Sequence, residues 1–375
     1  MKIYCISEGG IYRIESGTPQ KVECGRIRDY LKAVNDMKKR DEWKTTGKGA
    51  MFMQVEEREY DTDSVFLRSI GSSGDRLVYS TFIDGEGGMY FKDSENGDET
   101  YIFANQTIDP CGMTFSDGKC CIVIGEGGYE CHIAMLDTNN GGIDQITEGF
   151  TSETFPFISK RDPDIIYYTA MGYAQNASGA VVEKSPCSIC SYSSATGELS
   201  DVISDNTFDY LKPCDNDTGD LYYIRRKYEP TSKNPNIGKD IVMFPYRIVK
   251  AVGGLFNYFS MKYGGEPLRT GGRNPAKSKN ADEREMFVLG NLIKAKKIAE
   301  NDISDEGIIP SEWVLIKRGT DGSENVLVKG VMDYKLLGNG DIIYSDGSAV
   351  RKLDADGNKE LICKIPLADC ITVIM

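Results

Sequence analysis

The sequence predicts an all-β fold, a six-bladed β-propeller closed by its N- and C-terminal strands. Three observations support this prediction: a strand pattern recurs along the 375 residues, turn residues separate the strands, and the last strand can continue into the first. Turn signals about every 8–12 residues between β-rich segments are typical of all-β arrays.

The recurring unit begins with a turn rich in Asp or Gly and continues into an aliphatic-aromatic strand. Its copies are "MKIYCIS" at Met1, "GDRLVYST" at Gly74, "DGKCCIVI" at Asp117, "DPDIIYYT" at Asp162, "TGDLYYIR" at Thr218 and "GNGDIIYS" at Gly338. A second and a third strand pattern follow each copy. Self-similarity of this kind indicates a repeat architecture.

The spacing of the copies sets the number of blades. Their first aliphatic positions are Ile3, Leu77, Cys120, Ile165, Leu221 and Ile342, which lie 74, 43, 45, 56 and 121 residues apart. A four-stranded blade needs about 40–45 residues, so the gaps of 74 and 121 each hold a blade and an insertion. The longer gap is also wide enough for a seventh blade, but its middle has helical periodicity and we favour one blade.

The chain ends fit a closed ring. The last residues, "CITVIM", read as a strand that would precede "KIYCIS" across a tight turn, so we expect them to complete the blade begun by the N-terminus. Closure removes sheet edges that would otherwise template aggregation. We therefore expect one propeller domain over 1–375, a small helical insertion over 26–50 and a basic helical insertion over 226–310 in blade five.

The strand and turn motifs resemble the TolB-like and WD-like β-propeller repeats, in which a "PDG"-type turn precedes an "I-x-Y-x-S/T" strand. The matching segments are "FSDGKCCIV", "KRDPDIIYYT" and "GDRLVYST". The resemblance covers most of the chain outside the insertions and implies a fold without a particular activity. The Gly-His and Trp-Asp dipeptides of WD-type blades are absent from the sequence.

The large insertion has the opposite charge to the rest of the chain. Residues 225–300 contain 16 Lys or Arg and 7 Asp or Glu, a net charge of +9, whereas the other 299 residues carry −22. On a helical wheel, Pro245 to Tyr263 form an amphipathic helix that ends at Gly264. A second helix is predicted from Asp282 to Glu300.

The basic insertion is also the predicted docking site. Three alternatives remain open: its helices pack on their own propeller, they bind a partner protein, or they lie on a membrane surface. The membrane alternative is the weakest because a body of −22 is repelled by anionic lipid. The predicted partner-binding residues are Arg225, Arg226, Lys227, Arg247, Lys250, Phe256, Tyr258, Phe259 and Lys262.

The amino-acid composition limits the possible functions and locations of the protein. A net charge of −13 argues against nucleic-acid binding, which needs a basic surface. The sequence lacks a run of about 20 apolar residues, and its first residues read as a strand, with no signal-peptide pattern. The 11 cysteines are an odd number and many of them lie inside apolar strand patterns, so we expect reduced thiols and a cytoplasmic location.

Catalytic and metal-binding signals are weak. "CSIC", Cys187 to Cys190, is a lone CxxC without His partners and reads as two strand cysteines. The Asp-rich segments "CDNDTGD" at Cys214 and "DADGNKE" at Asp354 read as turns more than as calcium loops. His132 is the only histidine and is expected to be hydrogen-bonded in the core or the channel. We expect no cofactor and no metal.

The sequence therefore favours a non-catalytic interaction scaffold with a protein partner. The alternatives are a hydrolase or lyase with a carboxylate and tyrosine site in the central channel, and a sensor of a small molecule or ion. An enzyme or sensor should show converging carboxylates at the channel mouth. A scaffold should show a plugged or featureless channel.

Overall fold

The computed structural model describes residues 1–45, 65–94, 97–116, 118–125, 129–176, 181–229, 241–243, 285–288, 291–294 and 307–374. Most of these residues lie in β-strands, and one helix occurs among them. The strands are grouped into four-stranded antiparallel units, which we number one to six in chain order.

Units one and two surround the helix in the sequence. Unit one contains β1 (Lys2–Ser7), β2 (Gly10–Glu15), β3 (Thr18–Val22) and the C-terminal β28 (Asp369–Ile374), in the order β28-β1-β2-β3. Unit two contains β4 (Val65–Ser73), β5 (Arg76–Ile83), β6 (Glu86–Asp93) and β7 (Glu99–Asn105). Ile3 pairs with Val373, so strands from the two ends of the chain share one sheet. Helix α1 (Gly25–Thr45) lies in the helical insertion predicted over 26–50, of which residues 46–50 lie outside the described residues.

Units three and four are hydrogen-bonded to each other. Unit three contains β8 (Asp109–Ser116), β9 (Lys119–Gly125), β10 (Cys131–Leu136) and β11 (Ile143–Gln145). Unit four contains β12 (Thr151–Ile158), β13 (Ile165–Asn176), β15 (Ser188–Ser193) and β16 (Leu199–Ile203), and β14 (Val181–Lys184) pairs with the end of β13. A single parallel pairing, Cys131 with Ser152, joins the two units.

Units five and six complete the described sheets. Unit five contains β17 (Phe208–Asp215), β18 (Leu221–Lys227), β22 (Val314–Arg318) and β23 (Glu324–Lys329). Unit six contains β24 (Asp333–Leu336), β25 (Ile342–Ser345), β26 (Ala349–Leu353) and β27 (Lys359–Lys364). Between β18 and β22 lie β19 (Ile241–Met243), β20 (Glu285–Val288) and β21 (Asn291–Lys294).

The first strand of each unit is its inner strand. These inner strands are β28, β4, β8, β12, β17 and β24. Neighbouring inner strands lie against each other, and Tyr334 of β24 donates a hydrogen bond to the Lys212 carbonyl of β17 at 2.7 Å. Sheets arranged in this way around shared inner strands form a propeller-type fold.

The core lies between consecutive units. In β9, Cys121 and Val123 face a cluster shared with unit four, whereas Cys120 and Ile122 face a cluster shared with unit two. Successive side chains of a strand point to opposite faces, so a sheet buried on both faces needs apolar residues at every position. This explains the continuous "KCCIVI" pattern.

The prediction of a second helix from Asp282 to Glu300 is wrong in the part that the structure describes. Strands β20 and β21 form an antiparallel hairpin there, in which Met286 pairs with Ile293 and Phe287 with Leu292. Aromatic and β-branched residues favour strands, and Gly290, which separates the two strands in the sequence, is a turn residue that the helical prediction did not take into account. The predicted helix at 245–263 lies outside the described residues.

Candidate functional site

The large insertion is anchored on unit four. Strand β13 has 12 residues and continues past its pairing with β15, which ends at Ala170. At its far end, Gln175 pairs with Val181 of β14 on one side and with Met243 of β19 on the other. Strand β19 of the insertion is thus built into the neighbouring unit by backbone hydrogen bonds.

A second anchor lies where the insertion leaves unit five. The Tyr228 hydroxyl is 2.9 Å from Glu183 Oε1 and 2.5 Å from the Lys184 carbonyl oxygen, both on β14. Glu183 is buried. The insertion therefore starts in unit five and contacts unit four at once. These anchors lie at the end of the sheets where the inner strands begin and the second strands finish, and we name it the insertion end.

Of the predicted docking residues, the structure describes three, which have different surroundings. Arg225 is half-buried, 3.0 Å from Glu324 and over the Phe208 ring. Lys227 is exposed. The other predicted residues, Arg247, Lys250, Phe256, Tyr258, Phe259 and Lys262, lie outside the described residues.

The prediction that Arg226 binds a partner needs a correction, because its side chain is buried. It is only 5% exposed, its Nε lies 3.0 Å from Asp209 Oδ2, and its guanidinium stacks 4.6 Å from the centre of the Trp313 ring. Alternation along β18 turns it inward between the exposed Lys227 and the half-buried Arg225. We assign Arg226 a structural role and remove it from the docking surface.

The centre of the inner strands contains a buried ion-pair cluster. Lys212 Nζ of β17 lies 2.7 Å from Asp333 Oδ1 of β24 and 2.5 Å from Asp369 Oδ1 of β28. Burial alone would lower the pKa of Lys212, but the two carboxylates outweigh it and raise that pKa. Burial raises the pKa of Asp333, whereas Lys212 overcomes burial and lowers the pKa of Asp369. The cluster joins units five, six and one.

β-Bulges place side chains at this centre. The ladder of β17 shifts register between Leu211 and Cys214, and Lys212 has a positive φ of 53°. Phe155 of β12 has the same conformation at a matching bulge, with the Lys212 ammonium 5.0 Å from its ring centre. A proline follows each bulged residue, and prolines within sheets are found at bulges. The Phe-Pro and Lys-Pro dipeptides are the features of the sequence that point to these bulges. The ion-pair cluster was not among the sequence-based predictions.

His132 is a core residue, as predicted. It is 3% exposed, and its Nδ1 lies 2.9 Å from Glu153 Oε2, which also accepts a hydrogen bond from Thr147 Oγ1 at 3.0 Å. The pair sits between units three and four. A solvent-accessible catalytic role does not fit this burial.

The Asp-rich segments form turns. Asn216 Oδ1 accepts the Asp220 backbone N–H, and the Asp220 carboxylate is paired with Lys317 at 2.9 Å. Asp354 accepts backbone N–H groups from Asp356 and Asn358 in the same manner. Such local bonds are the reason that Asp and Asn occupy turns. Within the described ranges, no group of three or more His, Cys, Asp or Glu side chains is placed to hold a metal ion.

The cysteines of "CSIC" are core thiols. Cys187 lies in the cluster between units five and six, and Cys190 in the cluster between units three and four. Burial raises the pKa of both thiols. Because the two side chains face different clusters, they do not form a ligand pair.

In the part of the chain that the structure describes, two surface cavities lie away from the inner strands. One, of about 690 Å³, is between units two and three and is lined by Asn105, Thr107, Ile108, Ile124, Gly141, Ile143 and Gln145. The other, of about 240 Å³, is between units one and two and has Arg13, Lys21 and Lys92 in its wall. Neither is lined by converging carboxylates, the feature expected at the channel mouth under the alternative of an enzyme or sensor. Among the described residues, no helix combines the length and apolar composition needed to cross a membrane.

Together, the four-stranded units, their inner strands and the inter-unit core define a TolB-like β-propeller fold. No family model matches the sequence, and no curated protein does. Among solved structures, the chain is similar to TolB from Acinetobacter baumannii, with a TM-score of 0.51 and 9% identity over 99% of this chain and 65% of TolB. It also matches the tricorn protease, with a TM-score of 0.47 and 13% identity over 96% of this chain and 33% of that one.

The similarity to TolB concerns the fold alone, because the sequence identity is low. The chain spans 65% of the length of TolB and a third of the tricorn protease. The prediction of a TolB-like propeller is confirmed at this general level.

Proposed function

We propose that the chain is a six-bladed propeller, closed by the β28–β1 pairing, that acts as a non-catalytic interaction scaffold. The basic insertion is its docking element, and the partner is a protein with an acidic surface. The observation that carries the proposal is the double anchorage of the insertion on unit four, through β19 and through Tyr228. Residues 225–300, which carry a net charge of +9 and include the last three residues of β18, are thereby held at a defined place on a body of −22.

The ring centre supports a scaffold over a channel enzyme. Its two carboxylates, Asp333 and Asp369, are both bonded to Lys212, and Asp333 also accepts the backbone N–H of Ile371 at 2.7 Å. A general acid or base must be within reach of a substrate, and the buried Asp333 carboxylate is not accessible to one. We infer instead that the cluster has a structural role and links units five, six and one.

Charge complementarity explains the partner class. Rim charges mainly set association rate, salt dependence and partner choice, so a basic element selects acidic partners. The acidic body offers the same attraction, and β19 already pairs with β13, so part of the insertion packs on its own propeller. The eleven free cysteines suit a reducing compartment, and we include a cytoplasmic location in the proposal.

The test compares capture of partners by three variants of the full chain. The first replaces residues 244–306 by a short Gly/Ser linker and keeps β19. The second reverses charges in the insertion, as R247E/K250E/K262E. The matched control, K32E/K38E/K39E, reverses three exposed lysines of α1.

We expect the first two variants to lose a partner that the intact chain and the control retain, with binding that weakens as salt rises. Equal capture by all four proteins would refute the docking role. Salt-insensitive capture that only the linker variant loses would refute the acidic-partner assignment and leave a docking role for the apolar face.

A further inference from the structure

Two cysteine sulfur atoms are in contact at the insertion end of unit three. Cys111 Sγ lies 3.9 Å from Cys131 Sγ, and both side chains are half-buried. Eight of the eleven cysteines are buried, and Cys370 is the third half-buried one. The pair is therefore unusual in this chain for its accessibility as well as for its contact.

The backbone explains how the two thiols meet. Cys111 is the extra residue of a β-bulge in β8, between Pro110 and Gly112, and Cys131 begins β10. Strand β9 runs between them, and Gly125 of β9 pairs with Cys131. A Cβ added to Gly125 would lie 3.9 Å from Cys111 Sγ. Because this position is glycine, no side chain of β9 separates the two sulfur atoms.

The contact stabilises one thiolate. The hydrogen bond with Cys111 is the main cause that lowers the pKa of Cys131 to about 7, and Ser152 adds a second bond that offsets burial. The same bond raises the pKa of Cys111. In contrast, burial raises the pKa of Cys120 and Cys121 in the neighbouring strand. A thiolate is the nucleophilic form of cysteine.

We propose that Cys131 is a reactive thiol and a site of oxidation by hydroperoxides, with Cys111 as a positioning residue that donates a hydrogen bond to its sulfur. The Cys131 thiolate attacks the terminal oxygen of ROOH, an S–O bond forms and the O–O bond breaks. Sulfur is oxidised to sulfenic acid, the peroxide is reduced, and the leaving RO⁻ takes a proton from Cys111 or water to become ROH.

A direct disulfide between the two residues is not part of the proposal. Strands two apart in a sheet lie about 9–10 Å from each other, since neighbours are spaced about 4.8 Å apart. Disulfides need Cα atoms within about 7 Å. The sulfenic acid is therefore the expected product, and external thiols reduce it.

The expected rate gain is modest and measurable. At pH 7, a pKa of about 7 gives about 50-fold more thiolate than the ordinary value of 9.0. A thiolate of lower pKa is a weaker nucleophile, with a Brønsted coefficient of about 0.4–0.5, which reduces the gain about tenfold. Cys131 should thus react about fivefold faster at pH 7 than an otherwise similar cysteine of ordinary pKa.

The test is iodoacetamide labelling of the folded chain between pH 5.5 and 9.5, read by peptide mass spectrometry. We expect a midpoint near 7 for Cys131, and dimedone trapping of a sulfenic acid at this residue after treatment with hydrogen peroxide. C111A should raise the midpoint towards the ordinary value and slow labelling at pH 7 about fivefold. C111S keeps a donor and should retain a lower midpoint than C111A.

Labelling of Cys131 no faster than that of half-buried Cys370, whose pKa burial raises, would overturn the proposal. An unchanged midpoint in folded C111A would overturn the role of Cys111. If C111A does not fold, the labelling profile of the wild-type chain still decides whether Cys131 is reactive.

Discussion

Replacing Lys212 by Met should destabilise the protein by about 3–5 kcal/mol at pH 7. The side chains of Lys212 and Asp333 are only 9% and 6% exposed, so the variant leaves the Asp333 carboxylate buried without its cation. Removing one partner of a buried ion pair costs about this amount, far more than the net contribution of the intact pair. Asp369 is 35% exposed and adds less, because water solvates it.

The loss of stability caused by Lys212→Met should be smaller at low pH. Burial already raises the pKa of Asp333, and without Lys212 this pKa rises further, so the folded variant takes up a proton at a higher pH than the unfolded chain. The unpaired carboxylate therefore destabilises the variant fully above the folded pKa, progressively less as pH falls towards the lower pKa of the unfolded chain, and not at all below that value. In the wild-type protein, the lowered pKa of Asp369 contributes stability above its unfolded value, which is lost as pH falls. Both effects bring variant and wild type together at low pH.

Urea denaturation at pH 7 and pH 4.5, followed by the fluorescence of buried Trp313, measures the two differences. The triple variant K212M/D333N/D369N removes the charges together and should recover most of the loss. K119M, which breaks an exposed pair with Asp164, should leave the curve nearly unchanged. A loss below about 1 kcal/mol for K212M, or one that does not depend on pH, would refute the reasoning.

Three further predictions concern single sites. Arg226→Met should cost about 3–5 kcal/mol by leaving buried Asp209 without its cation, as thermal or urea denaturation will show, and a stable variant would contradict the structural role. Gly87→Ala should cost about 1–3 kcal/mol or more, because its Cβ would lie 1.9 Å from the Ile108 carbonyl oxygen; Gly85→Ala, in open space, tests for strain without a clash. Tyr228→Phe removes the hydroxyl that contacts Glu183 and the Lys184 carbonyl and should speed proteolysis of the insertion, and an unchanged cleavage rate would argue against this anchor.

The fold could be predicted from the sequence because the second strand of each unit is buried on both faces. Segments such as the one around Cys120 have apolar residues at every position, and turn residues separate them, so local sequence and global packing agree. The anchors Ile3, Leu77, Ile165 and Leu221 all fall in second or equivalent strands, β1, β5, β13 and β18. The general propeller prediction depends on this repeated burial.

The candidate site was harder to predict from the sequence than the fold, because it depends on contacts between residues far apart in the chain. The Lys212 cluster joins residues 121 and 157 positions apart, which no local pattern encodes. Arg226 looked like part of a basic run, and only the position of Asp209 and Trp313 shows why it turns inward. The helix prediction failed at strands β20 and β21 for another reason. Their Met, Phe, Leu and Ile residues fit the spacing of a helix and the alternation of a strand equally well, and in segments this short tertiary pairing decides between the two.

The pairing of β19 with β13 predicts that two deletions of the insertion will behave differently. Replacing 244–306 keeps β19, whereas replacing 231–306 removes the strand that pairs with the end of β13, next to Gln175 and Asn176. Unpaired backbone donors and acceptors at a sheet edge promote association between chains. The longer deletion should therefore form oligomers at concentrations at which the shorter one stays monodisperse in light scattering. Equal behaviour would mean that β19 does not protect this edge, and that the insertion is attached mainly through its root at Tyr228.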